Sequence, residues 1–163
     1  MGKNFKMVAT TIFGLEQVLE NELKDLGAVD VKKGVRNVSF YGDTGFMYKV
    51  NTTLRTAIRI LKPIKTFKVF DEEDLYDGLQ KIKWEDFMSV DGTFSIGAVV
   101  NSKFFTSNSH YISLKSKDGI ADYFRHKYHK RPNVDLKHPD VKVHVHILKD
   151  MCTISLDSSG DSL

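Results

Sequence analysis

The sequence predicts an α+β chain in two parts, and three observations carry that prediction. Through residues 1–68, short β-branched runs alternate with helical periodicities in the order β-α-β-β-α-β, the order of a ferredoxin-like sandwich. At Asp71-Glu72-Glu73-Asp74 the composition turns abruptly acidic. Beyond it, a long basic helix leads to two strictly alternating strands around Val141–Ile147 and Ile154–Leu156. A division near Val69 therefore gives a ferredoxin-like domain over 1–68 and an α/β domain over 69–163.

Each element has a local reason. Lys6–Ile12 is short and β-branched, and reads as a strand. Leu15, Val18, Leu19, Leu23 and Leu26 recur at helical spacing, and Gly27 stops that helix. Val29–Val31 and Val38–Tyr41 flank a turn at Lys33-Gly34. Asp43 or Thr44 can cap a helix bearing Phe46, Met47, Val50 and Leu54. Arg59–Phe70 returns as a strand, broken or bent at Pro63. The acidic cluster opens a helix whose N-terminus favours negative charge. Trp84 and Phe87 anchor a short second helix, and Phe94, Ile96, Ala98 and Val100 alternate as a strand after the Asp91-Gly92 turn. Pro132–Pro139 reads as an extended connector before the last two strands.

Composition removes several function classes. No apolar run is long enough to span a membrane, and the first residues lack a signal-peptide core, which fits a cytoplasmic protein. A single cysteine, Cys152, excludes an internal disulfide and a thiolate zinc cluster. It shares the phase of Ile154 and Leu156 and belongs to a core. His144 and His146 share a strand face, but no further ligands stand at metal-binding spacing, so no metal is expected. Gly14 alone is a weak phosphate-loop signal, and no glycine-rich nucleotide fingerprint occurs. The net charge of +3 is unevenly spread. Residues 1–70 hold 12 Lys and Arg against 6 Asp and Glu, residues 71–100 hold 2 against 8, and residues 101–140 hold 8 against 4. Two basic zones around an acidic belt imply a charged face.

The basic helix and its entrance, Asn101–Lys130, are the candidate site. Asn108, Ser109 and His110 open the helix, where unpaired backbone N–H groups suit a phosphate. Ser109 is expected to cap it. Lys103, Lys115, Lys127, Lys130 and Arg131 supply positive charge, while Phe104 beside Phe105 can stack on an unpaired base. One of these two rings is expected in the core. The apolar stripe of Leu114, Ile120, Ala121, Phe124 and Tyr128 centres near Lys117, which would either reach a phosphate or pair with a carboxylate. No carboxylate pair suggests acid/base catalysis.

Ser109–Asp122, read SHYISLKSKDGIAD, resembles the corresponding part of a THUMP domain. Residues 91–163 resemble the N-terminal half of bacterial large-subunit ribosomal RNA guanine methyltransferases of the RlmL type. Asn108-Ser109, Lys115 with Lys117-Asp118, Arg131-Pro132-Asn133-Val134-Asp135, Pro139-Asp140-Val141 and Leu156-Asp157-Ser158-Ser159-Gly160-Asp161 carry the match. Residues 1–68 resemble the ferredoxin-like domain that precedes THUMP there. The resemblance implies an RNA-binding region, with RNA of ribosomal origin as partner. It also implies a downstream Rossmann-like domain in the same polypeptide that transfers methyl from S-adenosylmethionine. No cofactor and no catalysis are expected of this piece, whose last residues leave a strand and stop in a loop, as at a fragment boundary. Related sequences also carry the label of N6-adenine-specific DNA methylases, which leaves the methylated base open. Two other readings remain: a ferredoxin-like regulatory module for a small metabolite, and a protein-interaction adaptor using the acidic belt at Asp71–Asp77.

Overall fold

The computed structural model describes residues 3–105 and 108–158, which form two compact units. One comprises the chain to Pro63 together with Asp157 and Ser158, and the other runs from Ile64 to Leu156. The contact boundary thus falls inside a strand, ahead of the acidic composition shift.

In the first unit, β1 (Phe5–Thr10), α1 (Glu16–Leu26), β2 (Val29–Lys33), β3 (Asn37–Gly42), α2 (Thr44–Thr53) and the start of β4 (Arg59–Lys68) follow one another. The strand order β2-β3-β1-β4 is antiparallel throughout. The register pairs Met7 with Phe40 and Ala9 with Val38, and Ile60 of β4 falls opposite Ala9. All five side chains are buried with Leu19 and Leu23 of α1 and Val50 of α2. Each large one contributes about 1.5–3 kcal/mol by burial, and Phe40→Ala would cost about 3–5 kcal/mol. Gly27 ends α1 in the left-handed conformation at φ 100°, as a residue without a Cβ can at little cost. Asp43, rather than Thr44, caps α2, its Oδ1 accepting from the Phe46 N–H at 2.8 Å.

Pro63 does not break β4, which is continuous over Arg59–Lys68. The register with β1 ends at Leu61, so the missing proline N–H falls beyond that ladder. The chain comes back to this unit at its far end. The Ser158 N–H and Oγ–H both donate to the Ile60 carbonyl at 2.9 and 2.8 Å, and Asn51 Nδ2 donates to Ser158 Oγ at 3.1 Å. The Ser159-Gly160-Asp161 part of the tail motif lies outside the described residues.

The second unit continues with α3 (Glu72–Gln80), a 3₁₀ turn (Trp84–Asp86), β5 (Thr93–Asn101), α4 (Ser109–Tyr128), β6 (Asn133–Val134), β7 (Val141–Leu148) and β8 (Met151–Asp157). Its strand order is β8-β7-β5-β6, with the end of β4 beside β8. β5 and β7 are parallel and joined through α4, as a crossover requires, whereas β7 and β8 form a hairpin. Phe94, Val143, Val145, Ile147, Cys152 and Ile154 turn one sheet face into the core. Leu75 and Leu79 of α3 and Ile112, Ile120 and Phe124 of α4 are buried in the same core. Trp84 is fully buried, its indole N–H donating to the Leu79 carbonyl at 2.9 Å. The Pro132–Pro139 connector is more ordered than its composition suggests, since β6 pairs with Thr93 and Phe94 of β5.

Candidate nucleic-acid interface

The entrance to α4 differs in one respect from its expected form. Asn108 is the cap, its Oδ1 accepting from the Tyr111 N–H at 2.9 Å, and Ser109 is the first helical residue. Asparagine is as good a cap as serine, so the helix starts one residue earlier than a Ser109 cap would give. Ser109 and His110 are exposed. The two phenylalanines divide as expected: Phe105 is buried and Phe104 is 50% exposed.

Phe104 has a partner that sequence periodicity left inside a strand. The ring of Phe70, 51% exposed, meets it edge to face at a centroid distance of 5.2 Å. Ser102 Oγ accepts from the Phe104 N–H at 3.2 Å and also donates to the Lys149 carbonyl, which ties this loop to the β7–β8 turn. The Phe70 N–H donates to Asp74 Oδ2 at 2.8 Å, so the first turn of α3 holds the second ring. An exposed aromatic pair thus stands between two anchored backbones, one residue on from the exposed Lys103.

The stripe centred near Lys117 is out of phase. The buried positions of α4 are Ile112, Ser116, Gly119, Ile120, Ala121 and Phe124, whereas Leu114 and Tyr128 are exposed. Lys117 therefore sits at the margin, half-buried, with no hydrogen bond or ion pair among the described residues. Gly119 is small where α3 packs, since a Cβ there would stand 3.1 Å from the Leu79 side chain, and Ser116 is fully buried. Small core residues carry little hydropathy, and so the periodicity drifted.

Most cations of α4 are already matched. Lys115 Nζ lies 3.2 Å from Glu73 Oε1 and over the Tyr76 ring, and that carboxylate holds the ammonium pKa above its usual value. Arg125 pairs with Asp122, which also accepts from the Tyr76 hydroxyl at 2.6 Å and pushes that phenol up to about 12. Lys127 Nζ lies 2.9 Å from Glu85 Oε2. Burial works to raise the Glu85 carboxyl, but hydrogen bonds from Tyr123, Lys127 and Tyr128 outweigh it and bring it down to about 2. Lys130 pairs with Asp91. Arg131 is exposed and, with Lys103, has no such partner among the described residues.

A second set of cations was not singled out by sequence. A cleft of about 210 Å³ between β4 and α3 is lined by Lys65, Lys68 and Lys81, with Asp74 and Asp77. None of the three ammonium groups has a hydrogen bond or ion pair among the described residues. Its floor is tight, because a Cβ on Gly78 would come within 2.2 Å of the Phe67 ring. The excess of lysine before residue 70 was the available signal, but it reads as belonging to the first domain.

His144 is buried and His146 is half-buried, its pKa lowered by burial. Among the described residues no group of His, Cys, Asp and Glu could hold a metal ion. Cys152 is fully buried, which pushes its thiol up to about 12 and makes it inert core. No helix among the described residues is long and apolar enough to cross a membrane.

Residues 69–157 match the family model of the THUMP domain. The chain belongs to the THUMP domain family. Residues 6–61 match the model of the RlmL ferredoxin-like domain, so both parts of the expected α+β architecture are present. Among curated proteins, the chain is 37% identical over 155 residues to a putative RNA methyltransferase, slr0064, of Synechocystis; the match covers 95% of this chain and 40% of that one. It is 36% identical over 163 residues to the ribosomal RNA large subunit methyltransferase K/L of Syntrophotalea carbinolica, covering 100% of this chain and 23% of that protein. The chain therefore spans less than half the length of either relative. Among solved structures, SMU.472, a putative methyltransferase complexed with SAH, aligns with a TM-score of 0.78 at 29% identity, over 96% of this chain and 42% of that one.

Proposed function

We propose that this chain is the RNA-recognition region of a SAM-dependent RNA methyltransferase. Ribosomal RNA would be its partner, the cytoplasm its place of action, and the methyl-transfer domain would lie elsewhere in the parent polypeptide. The THUMP match over residues 69–157 carries the reading, because it coincides with the unit that displays unmatched lysines and exposed aromatic rings. The relatives support it in name: they are RNA methyltransferases of which this chain covers the smaller part. Lys103, Phe104, Asn108, Ser109, His110, Lys117 and Arg131 stand as candidate contacts, and Lys115, Lys127 and Lys130 would join only by exchanging their carboxylates for phosphates.

Phosphate contacts give the binding its expected form. If about four phosphates of a single strand are neutralised, log affinity falls with log salt at a slope near −3. Calorimetric titration separates recognition from chemistry: RNA is expected to bind in low salt, and S-adenosylmethionine is not. Micromolar binding of S-adenosylmethionine to this chain would overturn the division of labour, and absence of RNA binding at low salt would overturn the reading itself.

A further inference from the structure

We propose that the second unit takes an unpaired RNA strand along the cleft between β4 and α3, with its phosphates on Lys65, Lys68 and Lys81 and a base on the Phe70–Phe104 pair. The inference rests on the RNA-binding reading above and names the form of RNA and the path it takes.

Charge availability fixes the path. A phosphate gains little from an ammonium already satisfied by a carboxylate, because that pair must first be separated. Lys115, Lys127 and Lys130 are in that condition, and Lys65, Lys68, Lys81 and Lys103 are not. Of the two acids in the cleft, Asp74 is engaged: its Oδ2 accepts the Phe70 N–H, and its own N–H donates to Asp71 Oδ1 at 2.9 Å. A hydrogen bond from a neutral N–H leaves a carboxylate charged, so three unpaired ammonium groups face two carboxylates and the cleft keeps a net positive charge of one.

The aromatic pair fixes the form of the ligand. Phe70 follows Lys68 by two residues, in the bend just past the end of β4, so their Cα atoms lie at most roughly 7 Å apart. Two half-exposed rings in edge-to-face contact offer a flat face to a base, and every base has a face to stack. A paired helix hides those faces and presents phosphates and groove edges instead. Positive charge tracking a backbone beside an aromatic platform is an arrangement that accepts single strands with little regard to sequence. The site uses no residue of the outer α4 surface.

The test compares an unstructured fluorescein-labelled oligoribonucleotide with a paired RNA duplex of equal length, by anisotropy across a salt series. The single strand is expected to bind wild type at least about tenfold more tightly. K65A/K68A/K81A should flatten the single-strand salt slope by about 2, from three lost contacts at roughly 0.7 each. F70L/F104L should leave that slope unchanged and weaken single-strand binding by about tenfold. Leucine keeps the apolar contact between the two positions, and thermal unfolding of each variant confirms its fold. K115A/K127A/K130A is expected to change the slope by less than the cleft variant does. A duplex bound as tightly as the strand overturns the inference, and so does a slope that responds to the α4 variant and not to the cleft variant. Both outcomes leave the RNA reading intact. A chain that binds neither RNA overturns that reading and this inference with it.

Discussion

Four paired cations on or just after α4 and four unpaired ones on the rim formed by β4, α3 and the β5–α4 loop offer an anionic ligand very different fields. On α4 and just past its end, Lys115, Arg125, Lys127 and Lys130 face Glu73, Asp122, Glu85 and Asp91. On the rim, Lys65, Lys68, Lys81 and Lys103 have no such partners among the described residues. A count of basic residues measures charge, whereas binding depends on charge left over. The acidic belt supplies most of the difference, since Glu73, Glu85 and Asp91 belong to it and neutralise the helix that looks most basic in sequence.

Breaking the matched side should convert it into the other. Glu85→Gln is expected to have the largest effect. It weakens three hydrogen bonds to a carboxylate and should cost roughly 1–2 kcal/mol of stability, while releasing Lys127 and tightening RNA binding about twofold to threefold. Urea unfolding and anisotropy on one preparation would show the two quantities moving in opposite directions; a loss of both would make Glu85 purely structural. The pH dependence has a definite sign. The folded carboxyl lies at about 2 against an ordinary 4.5, so its stabilisation is present above about 4.5 and is lost as pH falls toward 2. Acid unfolding of wild type should therefore be steeper in that window than that of Glu85→Gln.

Asn108→Asp probes the unmatched side. The cap should survive, and the helix dipole favours the new charge, so stability should hold or rise slightly. The same carboxylate at the helix entrance should weaken RNA binding about threefold, whereas Asn108→Ala should cost about 1 kcal/mol of stability through the lost cap. Ser109→Ala should change stability by less than about 0.5 kcal/mol, because the structure gives Ser109 no cap to lose. A thermal shift for Ser109→Ala as large as that for Asn108→Ala would contradict the cap assignment. The smallest effect is expected from Glu73→Gln. Its pair with Lys115 is a surface contact, so stability should move by less than about 0.5 kcal/mol, and RNA binding should rise less than twofold.

The architecture was legible because it rests on local signals. Gly27, Asp43 and the acidic first turn of α3 each say what the backbone does next, and each is where the sequence places it, while β7 is a strand as expected but buries His144 along with Val143 and Val145. The site was less legible because it depends on neighbours far apart in the chain. Glu73 and Lys115 are 42 residues apart, and Lys130 and Asp91 are 39 apart. Nothing in either local sequence announces its partner. Phe70 reads as the end of a strand, and only the fold brings it against Phe104. The phase error at Lys117 has another cause: Ser116 and Gly119 are core residues chosen for size, and hydropathy is blind to that choice.

The return of the chain to its first unit at Ser158 sets the order in which synthesis can complete the molecule. Ser158 meets Ile60 across 98 residues, and the whole second unit is translated between them. A ribosome must therefore finish the THUMP unit before the first unit acquires its last strap. While that interval lasts, the sandwich is held by its own strands and two helices alone. A released chain truncated after Leu156 should show a loosened sandwich beside a finished THUMP unit, which makes Ser158 a timing element of biogenesis as well as a hydrogen-bonding residue.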